Sequence, residues 1–270
     1  MRNMLYAGVA GAAMILGASG AFAADLYTPP PPEQVIAPAP VPVGGWYVGV
    51  FGGAAFPLSM DTEGAFYDES GPVTALYGFD GKTHFDTGWL VGGNIGYEMG
   101  NGLRGEIEVS YMQAGNDKLK GTFYEIVDVD GDTFVDEFGV SAKAKDDLSA
   151  TFVLANLWYD FNMGGLFKPY IGGGVGVAFV DQSLKVGGVK WIDDSTTNFA
   201  FQAGGGIKWA LSEAIDLDLG YRFKGALDAK LKDSGAYVYP GGVDAYAAQT
   251  KDDLFIHTVQ AGLTFRFGGY

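Results

Sequence analysis

The run Asp128-Val-Asp130-Gly-Asp132-Thr-Phe-Val-Asp136-Glu137 sets carboxylates at alternate positions along one stretch of chain. Oxygen ligands spaced this way can wrap a hard cation, and Asp128, Asp130, Asp132 and Asp136 fall where a calcium loop has its first, third, fifth and ninth positions. Two positions depart from that loop. Thr133 stands where glycine makes the sharp turn, and Gly139 stands where a bidentate glutamate closes the shell. These departures favour a solvated acidic loop over 128–139, in weak contact with divalent cations, above a dedicated calcium site. No other cofactor is expected. The two histidines, His84 and His257, are the remaining groups that could do chemistry. A hydrolytic centre needs a nucleophile or an acid within reach of its histidine. Asp86 follows His84 by two residues, but no serine stands two residues after either histidine. His257 also has the parity of apolar neighbours. No catalytic residue is expected.

The largest set of ionisable residues lies inside segments that alternate with period two. Leu103, Gly105, Ile107, Val109 and Tyr111 share one face of a strand, while Arg104, Glu106, Glu108 and Ser110 share the other. Ile215, Leu217, Leu219, Tyr221 and Phe223 oppose Asp216, Asp218, Gly220, Arg222 and Lys224 in the same way. Extending this parity yields six inward acids (Glu98, Glu106, Glu108, Asp160, Asp216, Asp218) and six inward bases (Arg104, Lys168, Lys208, Arg222, Lys224, Arg266). Buried charge is costly unless paired. A balanced set therefore predicts a closed, ion-paired interior, with Arg104, Lys208 and Arg222 answering Glu106, Glu108 and Asp218.

The elements that must position these residues are eight alternating segments, near 45–56, 86–99, 102–114, 148–161, 166–180, 198–211, 214–226 and 253–267. Three connections are tight turns, at Gly100-Asn101, Asn162 to Gly165 and Ser212-Glu213. Four are long, at 57–85, 115–147, 181–197 and 227–252, and read as loops. Short turns at one end and long loops at the other mark a transmembrane β-barrel of the outer-membrane type. The expected fold is thus all-β: an eight-stranded antiparallel up-and-down transmembrane barrel over 44–270. Its interior is just wide enough for side chains to fill. Aromatic residues near strand ends (Trp46, Tyr47, Trp89, Tyr97, Trp158, Tyr159, Phe161, Phe167, Trp209 and Tyr270) suit girdles at the two membrane interfaces.

The first residues agree with that destination. Arg2 precedes an apolar run from about Met4 to Leu16, and Ala21-Phe22-Ala23 fits a signal-peptide cleavage site, placing the cut between Ala23 and Ala24. Seven of the eleven prolines fall between residues 25 and 43, which predicts an extended Pro-rich periplasmic tail over 24–43. The chain has no cysteine, so rigidity must come from a closed hydrogen-bond ladder. A net charge of −15 with no basic stripe excludes nucleic acid as a partner.

Asn156-Leu-Trp-Tyr-Asp-Phe161, Lys168-Pro-Tyr-Ile-Gly-Gly-Gly-Val-Gly176 and Asp218-Leu-Gly-Tyr-Arg-Phe223 resemble segments of the OmpA-like small outer-membrane β-barrels, the opacity-protein type of surface antigen. The resemblance covers 44–270. It implies insertion by the outer-membrane assembly machinery, which reads a terminal signal that Gln260, Gly262, Phe265 and Phe267 match, three residues before Tyr270. The expectation is an outer-membrane protein with a structural or surface-interaction role, both termini in the periplasm. Four long extracellular loops would be displayed on a closed barrel, with Phe123, Tyr124, Phe134 and Tyr237 as exposed loop aromatics. The alternative is a narrow porin passing small ions or solutes. Expected partners are outer-membrane lipids and lipopolysaccharide, the assembly machinery, and host or envelope molecules met by the loops.

Overall fold

The computed structural model describes residues 44–70, 73–129, 132–239 and 242–267. The signal segment, Ala23, Ala24, the Pro-rich tail, Asp130 and Tyr270 lie outside the described residues, as does the side chain of Tyr237. Among those described, eleven strands form one antiparallel sheet: β1 (Gly45–Pro57), β2 (Met60–Ser70), β3 (Val73–Phe85), β4 (Gly88–Glu98), β5 (Leu103–Val129), β6 (Asp132–Lys145), β7 (Asp147–Asp160), β8 (Phe167–Val186), β9 (Val189–Ala210), β10 (Ile215–Tyr239) and β11 (Gly242–Phe267).

Eight of these strands close a ring in the order β1-β4-β5-β7-β8-β9-β10-β11 and back to β1, each pair antiparallel. Closure matters because every backbone donor and acceptor in the hydrocarbon must find a partner within the protein. The alternation in the sequence places the outer face. Val50, Val91, Ile107, Val109, Leu157, Ile171, Leu219 and Val259 all point outward and are exposed, forming the apolar band that lipid covers.

The four long connections are not loops, and this corrects the sequence reading. β5 runs 27 residues, about 90 Å at 3.3 Å per residue, whereas a barrel strand needs roughly 9–11 to cross the bilayer. Its first half pairs with β4 and β7 in the ring. Its second half pairs with β3 and β6 beyond it. β2 likewise continues β1 along the flank of β11, after a break at Leu58-Ser59. The connections are thus hairpin arms that extend the barrel wall into a crown. Between β6 and β7 the break is the single residue Asp146, whose φ of 70° turns the chain.

The crown is lower on one side. β8 and β9 turn at Gly187 and Gly188, both at positive φ, while the other three arms rise well above them. As a result β6 meets β8 only at Ala144 and Lys145. β9 leaves β10 after the Ala200–Ala226 pair. A bulge in this short arm pairs Leu184 with Ile192 and Lys185 with Lys190, leaving Trp191 as the extra residue.

The interior changes character along its length. On β7 the inward face reads Leu148, Ala150, Phe152 and Leu154, then Asn156 and Trp158. The first group joins Ala55, Leu90, Met112, Val180, Leu254 and Ile256 in a fully buried apolar tier, which continues into the crown through Met60, Leu184, Ile192 and Leu231. A polar lumen throughout is the sequence expectation, and the structure confines it to the end that bears the tight turns. Tyr47 and Trp158, read as girdle residues, face inward and are about 1% exposed. Trp46, Trp89, Tyr97, Tyr159, Phe161, Phe167 and Trp209 do lie outside.

Candidate functional site

The polar tier is built around two buried glutamates on β5. Glu106 accepts hydrogen bonds from Tyr47 Oη at 2.7 Å, Trp158 Nε1 at 2.8 Å and Asn156 Nδ2 at 3.1 Å. Glu108 accepts from Lys224 Nζ at 2.5 Å, Gln202 Nε2 at 2.8 Å, Ser110 Oγ at 3.0 Å and Asn156 Nδ2 at 3.1 Å. Strand parity brings these donors together, since Tyr47, Ser110, Asn156, Trp158, Gln202 and Lys224 all occupy inward positions of neighbouring or facing strands. A carboxylate with three or four donors recovers much of the hydration it loses on burial.

The inward charges assemble as a set; Arg104 and Glu106 meet as expected, while Lys208 and Glu108 take other partners. Arg104 binds Asp160 at 2.6 Å and stands 3.7 Å from Glu106. Lys208 binds Glu98 at 2.9 Å and lies 3.9 Å from Asp216, which Arg266 also reaches at 3.1 Å. Arg222 stacks on the Trp158 ring at 4.3 Å and donates to Tyr170 Oη at 2.8 Å. Tyr170 in turn donates to Asp218 at 2.8 Å, so Arg222 and Asp218 meet through a phenol rather than directly. Lys168 sits near the rim, opposite Lys208, and makes no ion pair among the described residues. The aromatic members, Tyr47, Trp158 and Tyr170, were missed. The parity of Trp158 with Asn156 and Asp160, and of Tyr170 with Lys168, was the signal that could have found two of them.

Within this tier a cavity of about 20 Å³ lies beside Asn94, Glu106, Arg222 and Gln260. That is room for about one water molecule. The apolar tier lies beyond it, with Phe152 over the Lys224 ammonium at 5.2 Å. Charged and apolar plugs therefore stand in series along the axis.

The other candidate groups lie apart. Asp128 lies one residue before the end of β5, opposite Thr133, whose hydroxyl donates to it at 3.3 Å. Asp136 pairs with Glu125, and four residues of extended strand hold it about 13 Å from Asp132. One cation needs its oxygens at about 2.3–2.6 Å, so the hairpin cannot gather Asp132 and Asp136 around a single ion. This corrects the calcium-loop spacing. Among the described residues no three histidine or carboxylate side chains converge on a metal position. His257 lies on the outer face, with Tyr221 Oη 2.6 Å from its Nδ1. His84 sits in the crown, and partial burial together with Lys118 and Lys120 holds its pKa below the usual imidazole range.

The crown's outer wall carries an apolar strip. Leu76 pairs with Ile126, and Ile126 with Val135, on adjacent strands. All three are exposed, as is Tyr124 on the same face, and Val135 reaches 70%, while Phe134 pairs with Val127 on the opposite face. Phe123 points the other way, into the mouth of the crown.

Comparison with known proteins adds the following. The model of a family described as outer membrane protein beta-barrel domain matches residues 36–267. An uncharacterized protein of Brucella abortus is 27% identical over an alignment of 289 residues, covering 94% of this chain and 95% of the relative. Outer membrane protein PagN of Salmonella typhimurium is 31% identical over 157 residues, covering 56% of this chain and 64% of PagN. Among solved structures, Neisserial surface protein A aligns with a TM-score of 0.42 at 18% identity, covering 83% of this chain and 97% of that one.

Proposed function

Because this chain belongs to the outer membrane protein beta-barrel domain family, and is therefore a bacterial outer-membrane β-barrel protein, we propose that it works by display: a closed barrel holds a rigid crown that contacts other molecules outside the cell. The tight turns then face the periplasm, with both ends of the barrel on that side. The observation that carries this reading is the doubly closed lumen. Buried ion pairs fill one tier and packed aliphatic side chains fill the next, so solutes have no wetted path. Recognition falls to the crown, because a rigid scaffold that orients its outer segments is how binding surfaces are commonly built. The Leu76–Ile126–Val135 strip supplies an exposed apolar patch of the kind that marks interaction surfaces. The four connections hold 21 acids against 10 bases. Such a surface approaches lipopolysaccharide only where divalent cations bridge the two. The reading includes no catalytic step: no serine stands two residues after His84 or His257, and His257 lies on the outer face beside Tyr221.

Planar-bilayer conductance of protein refolded without residues 1–23 tests closure. The expected record is silent for a preparation shown to be folded. Stable steps whose size or selectivity changes in Arg222→Glu would establish the narrow porin instead. Contact is tested separately on the strip. Ile126→Ser with Val135→Ser is expected to reduce capture of isolated outer-membrane fragments by the immobilised protein, with the unfolding midpoint unchanged. Equal capture would remove the strip from the account.

A further inference from the structure

The mouth of the crown encloses a bowl of about 440 Å³ that neither the sealed lumen nor the outer strip uses. Small-molecule sites typically span about 300–1,000 Å³. Phe79 and Trp191 meet edge to face at 5.9 Å at its base. Phe66, Tyr77, Phe123 and Tyr246 form its wall. The bowl is closed beneath, where Thr62 hydrogen-bonds Thr83 at 2.7 Å and Thr250 at 3.4 Å in a fully buried layer. Lys190 and Trp191, from the short β8–β9 arm, line its remaining side.

Two features of the chain make this space. The bulge in the short arm frees Trp191 from the ladder, and bulges of this kind re-aim a side chain. Across the mouth, Gly64 leaves the indole its place. A Cβ at residue 64 would come within 3.1 Å of the Trp191 ring. An aromatic side chain delivered by a bulge, received opposite a glycine, and left with open space against it is the construction of a pocket rather than of a core.

We propose that this bowl binds a neutral, hydrophobic aromatic compound of one or two rings. Six aromatic side chains offer faces and edges for offset or edge-to-face contact with such a ring system. Among the described residues of the lining the only cation is Lys190, and Asp193 already pairs with it. The excess of acids over the four arms repels anionic amphiphiles before they reach the mouth. The sealed lumen beneath makes this a site of retention, not of passage, and it does not depend on whether the outer strip engages a partner.

The test is fluorine NMR of the full mature protein in lipid nanodiscs, with its five tryptophans replaced by 5-fluorotryptophan. Trp191→Phe identifies the resonance of interest. Naphthalene is titrated in. The Trp191 resonance is expected to shift and saturate, while that of Trp158 in the lumen stays fixed. The lipid-facing Trp46, Trp89 and Trp209 report simple partitioning by drifting in proportion to dose. Ala248→Phe fills the bowl and is expected to weaken the Trp191 response at least tenfold with the other four resonances in place. Ala248→Leu narrows it should the first variant not fold. A Trp191 resonance that only drifts with the lipid-facing set, or a filled variant that titrates like the parent, would overturn the site. Tighter saturation by 1-naphthoate or by (1-naphthyl)methylammonium than by naphthalene would overturn the neutral-ligand assignment.

Discussion

Replacing Lys224 by methionine is expected to lower the stability of the folded barrel by about 3 kcal/mol, at the lower end of the roughly 3–5 kcal/mol lost when one partner of a buried ion pair is removed. Lys224 and Glu108 are each about 2% exposed, and among the described residues the ammonium is the only charge within bonding distance of that carboxylate. Methionine keeps the volume and the packing beneath Phe152, so the loss isolates the charge. Three neutral donors, from Ser110, Asn156 and Gln202, still reach Glu108, which is why the lower end is expected. Adding Glu108→Gln removes the stranded charge while keeping an acceptor for those donors, so the double variant should recover part of the loss. Urea unfolding in lipid vesicles measures both. An unchanged midpoint for Lys224→Met would mean that water reaches Glu108 and that the lumen is wetter than its packing implies.

Gly206→Val has the larger effect: the variant is expected not to reach the folded barrel at all. A Cβ at residue 206 would lie 2.6 Å from Tyr170 Oη and 2.7 Å from its Cζ, with the Leu219 carbonyl pressing from the neighbouring strand. Overpacking usually costs about 1–3 kcal/mol because side chains can move aside. Here the phenol is held between Asp218 and Arg222, and the carbonyl belongs to the ladder, so neither yields cheaply. Gly139→Val supplies the control. No atom lies within 4 Å of that Cβ position, and this variant should fold normally. The heat-dependent gel shift that separates folded from unfolded barrels reads the outcome. A folded fraction for Gly206→Val equal to that of the control would show that the tier relaxes more freely than described.

The ring was legible in the sequence because its strands separate lipid from a filled lumen. Leu103 to Tyr111 alternates sharply, and Ile107 and Val109 face out while Arg104, Glu106 and Glu108 face in, as the parity predicted. The crown was not legible for the converse reason. On β2 the run Met60-Asp-Thr-Glu-Gly-Ala-Phe-Tyr-Asp-Glu69 leaves the bilayer, where its outer face meets water and its inner face soon reaches the open mouth. With no apolar solvent on either side the period fades, and strands resemble loops. Leu148 to Leu154 failed differently. Its inward residues, Leu148, Ala150, Phe152 and Leu154, are apolar and Ser149 and Thr151 lie on the outer face, so the polar-in alternation is reversed and no polar lumen shows. Trp158 and Tyr47 were placed by residue type, as interface aromatics, where strand parity was the better guide. Most individual ion-pair partners could not be read, Arg104 with Glu106 being the exception. The stagger between strands decides that Arg104 meets Asp160 and Lys224 meets Glu108, and no local pattern in the chain reports it.

The unbroken course of β5 and β8 to β11 from bilayer to crown has a mechanical side. A partner that grips the crown and is drawn away from the cell pulls along the strands. Ladder bonds between antiparallel strands lie across that direction. Tension then falls on many of them at once, instead of peeling them one after another as it would from a loop tied to the barrel rim. The bilayer end is a closed hoop with no free edge from which tearing could begin. The weaker place is the low side of the crown, where β6 holds β8 by only the Ala144 and Lys145 pairs. A sideways force would spread the crown there first, and the ring below would keep its shape.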